Sequence, residues 1–148
     1  MHIAAAKLAS VAALLACALT LPAALLPKPG ADARRIPLCS TANADNCVID
    51  GDTIHWQGQR IRLQDIDAPE IFTFKCAGEL ALGTRATLRL QGLLGTARIT
   101  LLRAGARDRD RYGRRLRIVS NEEGSLGAIL VAEGLARQWD GARHGWCG

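Results

Sequence analysis

Apolar and polar residues alternate along "DTIHW" (52–56) and "QRIRLQDI" (59–66), with "QG" between them. A period of two around a two-residue turn predicts a β-hairpin from Val48 to Ile66. "DAPE" ends it, because Pro69 cannot continue a central strand. In "AGELALGTRATLRLQGLL" (77–94), Leu80, Ala81, Thr84, Thr87, Leu88 and Leu94 fall near helical spacing. A helix is predicted there despite the glycines at 78, 83 and 92. "ARITLLR" (97–103) and "RRLRIVS" (114–120) are predicted strands, joined by the charged loop "AGARDRDRYG". "SLGAILVAEGLA" (125–136) predicts a short amphipathic helix capped by Ser125, followed by an irregular tail. Strands, helix, strands, helix describe a small α+β domain built on an antiparallel sheet or barrel.

The amino terminus changes where that domain begins. Lys7 precedes an apolar run from Leu8 to Leu26, broken by Pro22, and "PKPGADA" then supplies breakers and small residues. This is the layout of a secretory signal, with Ala31-Asp32-Ala33 as the cleavage candidate. Residues 1–33 are therefore expected to be a signal peptide and 34–148 the domain. The alternative is a retained membrane anchor over residues 8–26. Lipidation at Cys17 is the weaker option, because Leu15 is bulky and the residues after Cys17 stay apolar.

Export to the periplasm or beyond accounts for the cysteines. Apart from Cys17 there are four, Cys39, Cys47, Cys76 and Cys147, an even number suited to an oxidising compartment. Three pairings are possible. The expected one joins Cys39 to Cys47 across a short local loop and Cys76 to Cys147, tying the tail to the middle of the domain. The second bridge would contribute about 4 kcal/mol in the chain-entropy model. No C-x-x-C occurs and the three histidines are scattered, which argues against a zinc site.

Charge brings in the chemistry. The net charge is +5 and arginines crowd residues 98–117, which suits a polyanionic partner or simply a solvated surface. Against this background the stretch from Val48 to Glu70 gathers five carboxylates, Asp50, Asp52, Asp65, Asp67 and Glu70, with Arg60 and Arg62. A Gln57-Gly58 turn sets Asp52 opposite Leu63, on the face of Asp65 and Asp67. Carboxylates grouped in this way need a positive partner, either arginine or a hard divalent cation with oxygen ligands. Strict alternation puts Arg62 on the other face.

"IDGDT", then "RIRLQDIDAPE", then "DRYGRRL", in that order, resemble the staphylococcal nuclease (thermonuclease) family, from about Val48 to Trp139. The resemblance implies an OB-type five-stranded β-barrel with about two packed helices, and Ca²⁺-dependent hydrolysis of phosphodiester bonds in DNA and RNA. By the same resemblance, Asp52, Asp67 and the backbone carbonyl of Ala68 match the calcium ligands, and Asp50 matches an acid just outside them. Glu70 matches the glutamate that activates or orients water. Arg62 and Arg114 match the phosphate-binding arginines, and Arg111 and Tyr112 match contacts to a neighbouring phosphate. A monomer acting on single- or double-stranded DNA and RNA, without a protein partner, is the implied state.

Three features depart from the family pattern. Asp65 stands where a small or apolar residue is expected, and is read as a surface acid rather than an outer metal ligand. The final long helix has no counterpart, nor has the usual aromatic platform, for which Trp56, Trp139 and Trp146 are the available substitutes. The competing functional reading is a catalytically silent OB-type module binding nucleic acid or protein. The complete set of Asp52, Arg62, Asp67, Glu70 and Arg114 favours the enzyme.

Overall fold

The computed structural model describes residues 36–40, 44–95 and 98–148. The signal or anchor segment, with Cys17 and residues 8–26, lies outside the described residues. Three short antiparallel strands open the domain: β1 (Cys47–Asp50), β2 (Thr53–Trp56) and β3 (Gln59–Leu63). Trp56 pairs with Gln59, so Gln57-Gly58 is the predicted two-residue turn. Its φ values of +50° and +72° are both left-handed, the twist that hairpin strands require.

The expected single hairpin is a three-stranded meander. The Gly51-Asp52 turn separates β1 from β2, and the register slips between Val48 and Asp50. A Cβ at Gly51 would lie 2.8 Å from that of Ala68 and 2.9 Å from that of Ala86, so only glycine lets this turn pack down.

After the two-residue strand β4 (Ile66–Asp67) comes α1 (Ala77–Gly95), close to its predicted span. Its buried face overlaps the predicted positions only at Thr87 and Leu94. Glu79, Gly83, Ala86, Thr87, Leu90, Leu93 and Leu94 point inward, while Leu88 is half exposed and Ala81 and Thr84 face solvent. Of the other inward positions, Glu79 and Gly83 are buried for their contacts with the preceding loop rather than for apolarity.

Strands β5 (Thr100–Leu102) and β6 (Arg115–Asn121) follow, the first shorter than the predicted 97–103, of which residue 97 lies outside the described residues. Strand β7 (Gly124–Ser125) leads into α2 (Leu126–Ala132), capped as predicted by Ser125, whose hydroxyl accepts from the Ala128 amide at 3.2 Å. The helix stops before residue 136. The tail is not wholly irregular, because β8 (Arg137–Gln138) pairs with β4.

The main strand path runs β1-β2-β3-β6-β5, antiparallel except that β3 and β6 are parallel. This is an α+β, OB-type arrangement of five strands with two helices. Val48, Ile54, Ile61, Leu63, Leu90, Val119, Leu126 and Leu130 form the centre of one apolar core. The sulfurs pair as expected, Cys39 with Cys47 and Cys76 with Cys147, the second closing a separation of 71 residues. No helix among the described residues is long and apolar enough to cross a membrane.

Candidate active site

The parallel pairing of β3 with β6 assembles the site. It sets Arg62 beside Leu116, and so brings the loop before β6 alongside the meander. Arg62 then does what strict alternation does not allow. Its Nη1 lies 2.9 Å from Asp52 Oδ2, and its Nη2 lies 3.6 Å from Asp67 Oδ1. The alternation argument fails because Asp52 belongs to the Gly51-Asp52 turn, outside β2, and its side chain is not bound to the strand's faces. Nη1 also donates to the carbonyls of Leu63 (2.7 Å) and Ile66 (3.1 Å). All three charged side chains are buried, so mutual pairing is the condition for keeping them there.

Asp52 is held on every side. It accepts from the Thr53 hydroxyl at 2.9 Å and the Ala68 amide at 3.2 Å, while its own amide donates to Asp50 Oδ1 at 3.0 Å. Burial, and then the charge of Asp52, push the Asp50 carboxyl up to about 7. Burial and Asp52 also raise Asp67, against the opposing pull of Arg143 and Arg62. Negative charge is in surplus here.

That surplus is the observation on which a cation can be judged. Asp52, Asp67 and the Ala68 carbonyl are hard oxygen donors of the kind calcium takes, and the arginine that answers the two carboxylates, Arg62, leaves part of the surplus of negative charge for a cation to balance. The tight ligand clusters found among the described residues are Cys39-Cys47-His55 and Cys76-Glu79-Cys147. Both are built on disulfide sulfurs, which do not bind metals as thiolates do.

Glu70 stands at the edge of this group on the loop between β4 and α1. Two devices set that loop. Glu79, buried in the first turn of α1, accepts from the Lys75 amide at 2.7 Å and the Glu70 amide at 3.5 Å. Gly83 lets the loop lie on the helix, since a Cβ there would sit 2.6 Å from the Pro69 carbonyl oxygen.

Arg114 approaches from the loop before β6. Its Nε donates to Asp110 Oδ2 at 2.6 Å and its Nη1 to the Thr53 hydroxyl at 3.3 Å, while its amide donates to Asp110 Oδ1 at 2.9 Å. Burial alone would raise Asp110, but its hydrogen bonds and the Arg114 charge outweigh that and hold it below the usual carboxylate range. Tyr112 is exposed, with the Arg111 and Arg114 guanidinium carbons 4.8 and 5.5 Å from its ring centre.

A cleft of about 1000 Å³ brings Arg62, Glu70, Arg111, Tyr112 and Arg114 onto a common wall. Asp67 and Ala68 line a second, smaller cleft of about 180 Å³, which shares Glu70 and Arg143 with the first, and Asp52 pairs with Arg62 beneath the larger one. Asp65 is not in this group: it turns away, accepting from the Ser125 hydroxyl at 2.7 Å, and packs so closely on Gly127 that any Cβ there would clash. It serves the start of α2, and the reading of it as a surface acid is corrected. The bends at residues 64 and 65 break the alternation that placed it with Asp67. Of the tryptophans, Trp139 lines the cleft with the Arg62 guanidinium 6.0 Å from its ring, whereas Trp146 stacks on Arg137 and Trp56 packs against the core.

Two residues escaped the sequence reading. Asp110 orients Arg114, a role hinted at only by its position four residues earlier. Arg143 pairs with Glu70 through Nη1 and lies 4.0 Å from Asp67 through Nε. Its sole signal was that it precedes Cys147 by four residues.

The sequence matches the family described as Staphylococcal nuclease homologue over residues 60–144, more than half of the chain. No individual curated protein matches it.

Proposed function

The chain belongs to the staphylococcal nuclease family, and from that premise we propose that it is an exported, calcium-dependent nuclease hydrolysing phosphodiester bonds in DNA and RNA with little sequence preference. The observation that carries this reading is the convergence of Arg62, Glu70 and Arg114 on one cleft, backed by Asp52 and Asp67.

Asp52, Asp67 and the Ala68 carbonyl would hold the calcium ion, with Asp50 as an outer acid. When bound, it supplies positive charge against the negative charge that gathers on a phosphoryl group under attack. The remaining steps fall to the chain's own side chains. Arg114, fixed by Asp110 and Thr53, presents a guanidinium edge to the phosphate oxygens, and Arg62 adds charge from below. Glu70 orients a water molecule for attack and accepts its proton. Arg111 and Tyr112 flank the next phosphate along the strand. Contacts of this kind engage backbone rather than bases, which supports low sequence preference. Two disulfides suit an oxidising compartment and support export.

A second reading, binding without cleavage, is favoured by the pairing of Glu70 with Arg143, which occupies the carboxylate that water activation requires. The deciding experiment incubates the oxidised protein with single-stranded DNA in Ca²⁺ and in EGTA. Cleavage in Ca²⁺ alone is expected. Retained binding with no cleavage in Ca²⁺ overturns the nuclease reading in favour of the binder.

A further inference from the structure

We propose that Arg143 is a third phosphate-binding arginine of the cleft, delivered by the disulfide-anchored tail; this rests on the nucleic-acid reading above. The argument begins with the donors. Arg62 Nη1 already serves Asp52, Leu63 and Ile66, its Nη2 leans on Asp67, and the side chain is 7% exposed. Arg114 spends Nε on Asp110 and Nη1 on Thr53. Arg62 Nε and Arg114 Nη2 stay unspent among the described residues, but the Arg62 side chain is buried and that of Arg114 nearly so, and each presents only an edge to an incoming anion. Arg143 differs: its side chain is 53% exposed, it lines the cleft beside Glu70, and it pairs with Glu70 at the rim while reaching the buried Asp67 only at 4.0 Å.

The fold does not need that rim ion pair. A pair this exposed contributes less than about 1 kcal/mol. Yet the tail carrying it is built with care. The Trp139 amide donates to the Asp65 carbonyl at 2.9 Å, Arg137 donates to the Gly145 carbonyl at 2.9 Å and stacks on Trp146, and Cys147 is bonded to Cys76. Cys76 directly precedes α1, at the end of the Glu70 loop, so one bridge fixes Arg143 and Glu70 relative to each other. An arriving phosphate offers two oxygens to the planar guanidinium fork and releases Glu70 for water. The free protein thus keeps its water-activating carboxylate paired until substrate enters.

The test measures binding of a short phosphorothioate single-stranded DNA to the oxidised full chain, in Ca²⁺ and in EDTA. Arg143→Ala should weaken binding about tenfold and remove about one phosphate contact from the salt dependence. Arg143→Lys should recover part of the loss. Arg85→Ala, which removes the same charge from the exposed side of α1, should stay within about twofold of wild type. Arg143→Ala binding as tightly as wild type, or no more weakly than Arg85→Ala, overturns the proposal. Cleavage of an ordinary oligonucleotide is scored separately. Wild type that binds but does not cut refutes hydrolysis and leaves the Arg143 comparison decisive. Wild type that cuts, with Arg143→Ala binding and cutting equally well, refutes the role of Arg143 alone.

Discussion

Arg62 and Asp52 form a buried ion pair 2.9 Å long at the base of the cleft. A residue assigned to the phosphate is therefore also a structural counter-ion. Removing it strands a buried carboxylate beside a second one. Arg62→Ala is expected to destabilise the domain by about 3–5 kcal/mol as well as to abolish turnover. Urea denaturation with and without Ca²⁺ checks this, and an unchanged midpoint would show that Asp52 is solvated without its partner.

Gly83 and the Pro69 carbonyl touch across the junction of α1 and the Glu70 loop. Gly83→Ala improves helix propensity, but its methyl group must push that loop away. The contact is backbone and cannot swing aside. The expected result is a loss of about 1–3 kcal/mol, with lower kcat and nearly unchanged KM as Glu70 shifts. A variant more stable and equally active would mean that the loop yields freely.

Arg114→Ala removes, from a half-buried position, the donor proposed to meet the reacting phosphate. A fall in kcat/KM of about 10²–10³ is expected, together with a lowered thermal midpoint because Asp110 loses its partner. Steady-state cleavage beside a calorimetric scan separates the two effects.

Asp110 gives the arginine its pH dependence. Its native carboxyl is depressed, so the stabilisation it contributes is present above the ordinary aspartate range and is lost as pH falls through the native value. As pH falls below the ordinary aspartate range the wild type should lose this contribution while Asp110→Asn shows none to lose. Melting curves of the two proteins across that range should converge at the acid end.

The Cys76–Cys147 bridge closes a long loop, and its loss should cost about 4 kcal/mol in the chain-entropy model. Because it also sets the tail on the cleft, Cys147→Ser should weaken oligonucleotide binding even at temperatures where circular dichroism shows a folded domain. Full binding by the folded variant would detach the tail from the site.

Most of the local order was legible in the sequence. Alternation and the Gln57-Gly58 turn specify β2 and β3 because strand period and turn geometry depend on near neighbours. The Ser125 cap likewise satisfies an amide only three residues away. The crowd of acids also declared, by repulsion alone, that a positive partner was required. Which partner, and from where, was decided by the tertiary structure. The Gly51-Asp52 turn frees Asp52 to meet Arg62, the parallel β3–β6 pairing brings in Arg114, the bends before β4 send Asp65 to α2, and a bridge over 71 residues places Arg143 on Glu70. Side-chain period describes a residue relative to its own strand. A buried charge is placed by what it meets across the fold, and those encounters have no period along the chain.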